Sequence, residues 1–172
     1  MGEVASFDEL GRRISGNTRL AALHRDIPGA TVLFETAIER IKAFSQRLGQ
    51  DPAVLSNSVW ALYSQGSPLL GLWLARTPEG KVVGHAVGMV EQFEGKYVFW
   101  INQVQMDEVA GRALVEHFLT TIDNFVLAFN QHAKATGITI RDIFMRSRRT
   151  TDAWVRHAGF EDYAVIRRRE VR

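Results

Sequence analysis

The feature that most constrains this chain is the run from Tyr97 to Phe144, which reads as strand, long helix, strand. The spacing predicts strands over Tyr97–Met106 and Ile138–Phe144, with a helix over Asp107–Ala135 between them. A strand that crosses through a helix to a second strand of one sheet forms a βαβ unit, so the two strands run parallel. The helix carries Leu114, Phe118, Ile122, Phe125, Val126 and Phe129 on one face, a stripe built to sit on that sheet. Strict alternation puts Val98, Trp100, Asn102, Val104 and Met106 on one face of the first strand, and Tyr97, Phe99, Ile101, Gln103 and Gln105 on the other. Its first half is apolar on both faces and is expected to be covered on both sides. Its second half holds three amides, Asn102, Gln103 and Gln105, at the strand end where an α/β sheet places a site. The junction Met106–Gly111 puts a helix N-terminus beside that end, a natural place for an anion.

The chain before this unit supplies the layers around it. Thr31 is placed to cap a helix over Val32–Leu48, with an apolar stripe of Phe34, Ala37, Ile38, Ile41, Phe44 and Leu48 and a stop at Gly49. Asp51-Pro52 opens a second helix, which carries Val54, Leu55, Val59, Trp60, Leu62 and Tyr63 and ends near Gly66. Trp60 is expected in the core. The period then changes to that of strands: Leu69–Ala75, a turn at Thr77–Gly80, Lys81–Phe93, a turn at Glu94-Gly95, then Tyr97–Met106. That is an antiparallel meander. After Phe144 come a basic loop at Arg146–Arg149, a short helix with Trp154 inward and Gly159 at its end, and a last strand over Phe160–Val171. Residues 1–30 read as an N-terminal arm, with short helices at Phe7–Ile14 and Thr18–His24 and a turn at Pro28-Gly29; residues 31–172 read as the main domain.

Composition narrows the function classes. With 172 residues, 46% hydrophobic and 23% charged, the sequence reads as one soluble domain. No apolar run approaches the ~18 residues of a membrane span, and no signal segment is recognisable. There is no cysteine, and no two of the five histidines have a helical metal-ligand spacing, so no metal site is expected. Residues 137–172 hold nine arginines against five acids, a surplus of four positive charges. Three of them, Arg167–Arg169, fit the blunting of an edge strand better than nucleic-acid binding.

Two amphipathic helices, a three-strand meander, a βαβ crossover, a short helix ending in Gly-Phe and a last strand follow in an order that resembles the GNAT superfamily of N-acyltransferases. Gly80-Lys81-Val82-Val83-Gly84-His85-Ala86 looks like its turn and third strand, Ala153–Phe160 like its fourth helix, and Gly111-Arg112-Ala113-Leu114 like the start of its cofactor helix. The fold implied is α+β (α/β): a mixed sheet, an antiparallel meander followed by a βαβ crossover with splayed parallel strands, and helices on both faces. The resemblance also implies that acyl-CoA lies between the splayed strands, with its pyrophosphate on a Gln/Arg-x-x-Gly-x-Gly/Ala loop. Small residues there let backbone N–H groups close on phosphate, and the helix dipole favours its charge. Carried over residue by residue, the cofactor positions are Val104, Met106, Val109, Ala110, Gly111 and Arg112. Only Gly111 keeps the small character. Met106 replaces the polar residue, Val109 replaces the inner glycine, and Asp107 and Glu108 add charge where a pyrophosphate would sit. The fourth-helix tyrosine acid of the family is matched by Val155.

These departures predict a GNAT-fold protein with lost or reduced acyl-CoA chemistry. It would have no cofactor and would serve as a binding or structural subunit of a larger assembly, such as a phage virion, or lie in the cytoplasm. Its partners would be proteins or copies of itself. The alternative is an active N-acyltransferase moving an acyl group from acetyl-CoA or another acyl-CoA to an amine. Its candidate catalytic groups are Glu91, the carboxylate on the meander strands, Gln103 at the strand end, and Asp142 on the partner strand.

Overall fold

The computed structural model describes residues 18–107, 112–145 and 159–160. Strand β1 spans Arg19–Ala22, helix α1 Ala30–Arg47, helix α2 Pro52–Gln65, β2 Leu70–Arg76, β3 Val82–Phe93, β4 Lys96–Met106, helix α3 Arg112–Ala133 and β5 Ile143–Met145, with a 3-10 turn at Lys134–Thr136. The five strands among the described residues form one sheet in sequence order. Neighbours run antiparallel from β1 to β4, and β5 runs parallel to β4. The expected mixed sheet, its meander and its βαβ crossover are all present. No helix among the described residues is long and apolar enough to cross a membrane.

Two apolar layers hold the sheet. On one face Trp73, Ala86, Val90, Phe99 and Ile101 cluster with Phe118, Ile122, Val126 and Phe129 of α3. On the other, Leu72, Leu74, Val87 and Met89 cluster with Phe34, Ala37 and Ile41 of α1 and Val59 of α2. The aromatic rings of the first layer need room at the strand backbone. The Phe99 ring lies on Gly88, where an added Cβ would come within 2.3 Å of Phe99 Cζ and 2.8 Å of the Trp100 carbonyl oxygen.

The helices follow their stripes, with two departures from expectation. Asp51 caps α2 by accepting from the Ala53 N–H at 2.8 Å, with Pro52 at the first turn. Helix α1, however, starts before Thr31. Gly29, in a left-handed turn with φ 72°, is its cap residue, and the Gly29 carbonyl accepts the first helical bond from Leu33 at 3.1 Å. Trp60 is 60% exposed rather than in the core. The buried line of α2 runs through Ser56 and Val59, and Trp60 sits about 100° further round the helix. Tyr63 instead joins the two helices by stacking on Phe34, ring centroids 3.9 Å apart.

The segment expected as a helix over Thr18–His24 is a strand. Arg19–Ala22 pairs antiparallel with β2, and the Leu23 N–H continues to the Leu72 carbonyl at 2.9 Å. Leu20 and Leu23 have helical spacing, yet Leu20 packs on the α3-side layer and Leu23 on the opposite one. The free edge of β2 overrides local preference here. The helix expected at Phe7–Ile14, and the elements expected over 146–158 and 161–171, lie outside the described residues.

The partner strand is also shorter and later than the expected Ile138–Phe144. At Ile140 the side chain of Asn130 replaces a ladder partner. Its Nδ2 donates to the Ile140 carbonyl and its Oδ1 accepts from the Ile140 N–H, both at 2.8 Å. With both backbone groups satisfied by α3, Ile140 fills the core without belonging to a strand.

The two faces of β4 exchange partway along the strand. Val87 pairs with Gln103 but Gly88 pairs with Ile101, so Asn102 is an extra residue, a β-bulge. One inserted residue exchanges the faces of everything after it. Phe99 and Ile101 face α3 as a pair, but Gln103 and Gln105 turn to α1, and Val104 takes the α3 side. The parallel pairing with β5 covers Phe99–Ile101. It stops at the bulge among the described residues, while β4 itself runs on to Met106.

Candidate functional site

The C-terminal half of β4, beyond the bulge, is where the fold brings polar groups together. Gln103 is 4% exposed. Its Nε2 donates to Ser45 Oγ at 2.8 Å and to the Ile41 carbonyl at 3.5 Å. A backbone carbonyl only accepts, so this contact fixes which end of the amide faces α1. The Oε1 end therefore faces His85 Nε2, 2.9 Å away, and the imidazole carries its proton on Nε2. His85 Nδ1 is then a lone pair, buried and without a partner among the described residues. Burial, with smaller contributions from Arg40 and Arg47, holds the His85 pKa down at about 4, against the opposing pull of Gln103 and Asp107. His85 is a neutral core residue at pH 7, placed edge-on to Phe44.

One step further along, Gln105 and Asp107 meet Arg40 of α1. Arg40 Nη2 donates to Gln105 Oε1 at 2.8 Å and also to Asp107 Oδ1, while Nη1 reaches Asp107 Oδ2 at 3.5 Å. Gln105 Nε2 donates to the Met106 carbonyl at 2.8 Å. The Asp107 N–H continues the ladder to the Val83 carbonyl at 2.9 Å. Met106 packs over Gly84, where a Cβ would come within 2.3 Å of its sulfur. Beside this pair, Arg40, Ala43, Arg47, Gln105 and Asp107 line an open cleft of about 220 Å³.

The three candidate catalytic groups do not come together. Glu91 is exposed and sits opposite Val98. Asp142 is exposed, and its carbonyl accepts from the Phe99 N–H at 3.1 Å. Both therefore flank the start of β4, roughly 13 Å along the strand from Gln103 at about 3.3 Å per residue. Of the cofactor positions, Val104 packs on the α3-side core and Met106 is half-buried. Val109, Ala110, Gly111 and the side chain of Arg112 lie outside the described residues. The described half of the junction offers the side chains of Met106 and Asp107. A thioether donates nothing, and an ionised carboxylate only accepts. No cluster of His, Asp or Glu among the described residues is arranged to hold a metal ion.

Arg40, Arg47 and His85 are the participants that sequence reading missed. The first two stand with Ala43 at steps of three and four residues, one face of α1, and this pattern was readable. His85 appears in the sequence only as a polar residue inside an apolar strand.

No protein-family model and no curated protein sequence matches this protein. Solved structures do. An integron cassette protein from the mobile metagenome of Cole Harbour Salt Marsh superposes with a TM-score of 0.51 at 16% identity, over 92% of this chain and 91% of that one. An aminoglycoside acetyltransferase from an uncultured soil sample, solved with sisomicin, gives 0.49 at 16% identity over 92% and 99%. A ribosomal-protein-alanine N-acetyltransferase from Brucella melitensis biovar Abortus 2308 gives 0.46 at 13% identity over 90% and 98%. Among the described residues the sheet order, the parallel β4–β5 pair and the flanking helices make a GNAT-like α+β fold.

Proposed function

We propose that this GNAT-fold protein has lost or reduced acyl-CoA chemistry and works as a binding or structural subunit of a larger assembly, of which a virion is one example. The observation that carries the reading is the Arg40–Asp107 pair. It anchors a carboxylate at the end of β4, beside the junction where the fold's acyltransferases bind pyrophosphate. Arg40 is already engaged by Asp107 and Gln105, so its guanidinium is not free to offset the charge of a pyrophosphate beside Asp107. Gln103, the polar residue best placed on the strand, is committed to Ser45 and His85. Trp60, exposed on α2, is apolar surface of the kind protein partners use. Titration calorimetry of the full-length protein with acetyl-CoA and longer acyl-CoAs tests the reading. No heat at millimolar ligand is expected, and micromolar binding refutes it. One observation favours the alternative, an active N-acyltransferase: the bulge at Asn102 frees the later half of β4 from its parallel partner, among the described residues.

A further inference from the structure

The cleft beside Asp107 has a composition of its own. Arg40, Ala43 and Arg47 follow one face of α1. The short Ala43 side chain leaves a notch between two guanidinium groups, closed on the strand side by Gln105 and Asp107. Arg40 is held in place by both of those residues. The Arg47 guanidinium lies over the Phe44 ring, 5.2 Å from its centroid, and pairs with no acid among the described residues. The lining thus carries two positive charges and one negative, a net of one.

We infer that this notch receives a single carboxylate from a partner protein. Arg47 offers a planar fork that matches a carboxylate in two parallel bonds, and the Arg40 guanidinium, held by Gln105 and Asp107, adds a fixed positive charge on the other side of the notch. The Asp107 charge selects against dianions. It leaves one unit of positive charge, which a carboxylate neutralises and a phosphate would overshoot. The inference rests on the binding-subunit reading and gives the partner a chemistry: an acidic side chain or a free C-terminal carboxylate.

Two-dimensional NMR of the labelled full-length protein at low ionic strength tests it. The probes are N-acetylglycine, N-acetylaspartate methylamide, uncharged N-acetylglycinamide and inorganic phosphate. The expected result is saturable millimolar shifts at the amides of Ala43 and Gln105 with one or both carboxylates. The uncharged probe produces none, and phosphate binds more weakly. The tighter carboxylate tells a C-terminus from an acidic side chain. Arg47→Gln removes the fork and Ala43→Leu fills the notch with the charges intact; each weakens binding at least tenfold. Both positions are exposed, and an unchanged spectrum elsewhere shows that the variants fold. No saturation with either carboxylate, tighter binding of phosphate, or wild-type affinity in Ala43→Leu each overturns the inference. Carboxylate saturation together with micromolar acyl-CoA binding removes the subunit reading and leaves the carboxylate site standing.

Discussion

Acid should destabilise this protein through His85. In the folded state the ring is 1% exposed and its pKa is held at about 4. In the unfolded state it returns to the ordinary value near 6.5. Between those values the unfolded state binds a proton that the folded state refuses. Stability is therefore fully present above pH 6.5 and falls as pH drops toward 4. The gap of about 2.5 pH units, at 1.36 kcal/mol each, predicts a loss of about 3 kcal/mol across the window. With a urea slope of about 2 kcal/mol/M, the unfolding midpoint moves down by about 1.5 M between pH 7 and pH 4. Burial lowers the His117 pKa as well, so the measurement is a difference. Urea unfolding of wild type and His85→Leu is compared at pH 7, 5.5 and 4.5. The variant starts lower at pH 7, by roughly 1–3 kcal/mol, because Gln103 Oε1 loses its donor in a buried site. It then loses less on acidification, and the two curves converge. Parallel curves would refute the buried neutral histidine, as would a His85 ring already charged at pH 6 by NMR.

Three further outcomes follow from the packing. Gly88→Ala forces Phe99 or the β4 backbone to move, because the new methyl lies 2.6 Å from Phe99 Cε1 and 2.8 Å from a backbone oxygen; the expected loss is about 1–3 kcal/mol in chemical denaturation. Asn130→Leu leaves the N–H and C=O of Ile140 unpaired in the core; two orphaned groups at about 1–3 kcal/mol each predict one of the largest single-residue losses in a thermal-melt series. His117 Nε2 accepts from the Leu20 N–H at 3.1 Å, and burial and Arg19 lower its pKa. The bond therefore holds at neutral pH and fails as acid passes that lowered value, so the Leu20 amide should lose hydrogen-exchange protection on acidification, beyond the intrinsic pH effect, in wild type but not in His117→Gln.

What was legible in the sequence was whatever a single element decides. The α1 stripe, the Asp51-Pro52 start of α2, the meander turns and the long α3 face each depend on local spacing and on a cap or turn residue. What was hidden depends on two elements at once. Strand β1 exists because β2 has an edge to fill. The strand expected at Ile140 is absent because an asparagine ten residues upstream takes both its backbone groups. Trp60 reads as core by composition, and only the orientation of α2 on α1 turns it outward. The site was hidden for the same reason. Asp107 reads as an uncompensated charge until α1 brings Arg40 to it across 67 positions.

The three amides of β4 show how far one inserted residue reaches. Without a bulge, Gln103 and Gln105 would continue the face of Phe99 and Ile101, under α3, among Phe118, Ile122 and Val126. Those three side chains neither accept nor donate, and an unpaired amide in such a layer costs several kcal/mol. The bulge at Asn102 turns both to α1 instead. There Gln103 finds Ser45, the Ile41 carbonyl and His85, and Gln105 finds Arg40. It also brings Val104 to the α3 side, where an apolar side chain belongs. The amides that read as a reactive strand end are therefore ties between the sheet and α1. Asn102 at the bulge itself differs, since its Oδ1 is buried with no partner among the described residues. The polar pattern of this strand is explained by the register of the sheet, and a catalytic role is not needed to account for Gln103 or Gln105.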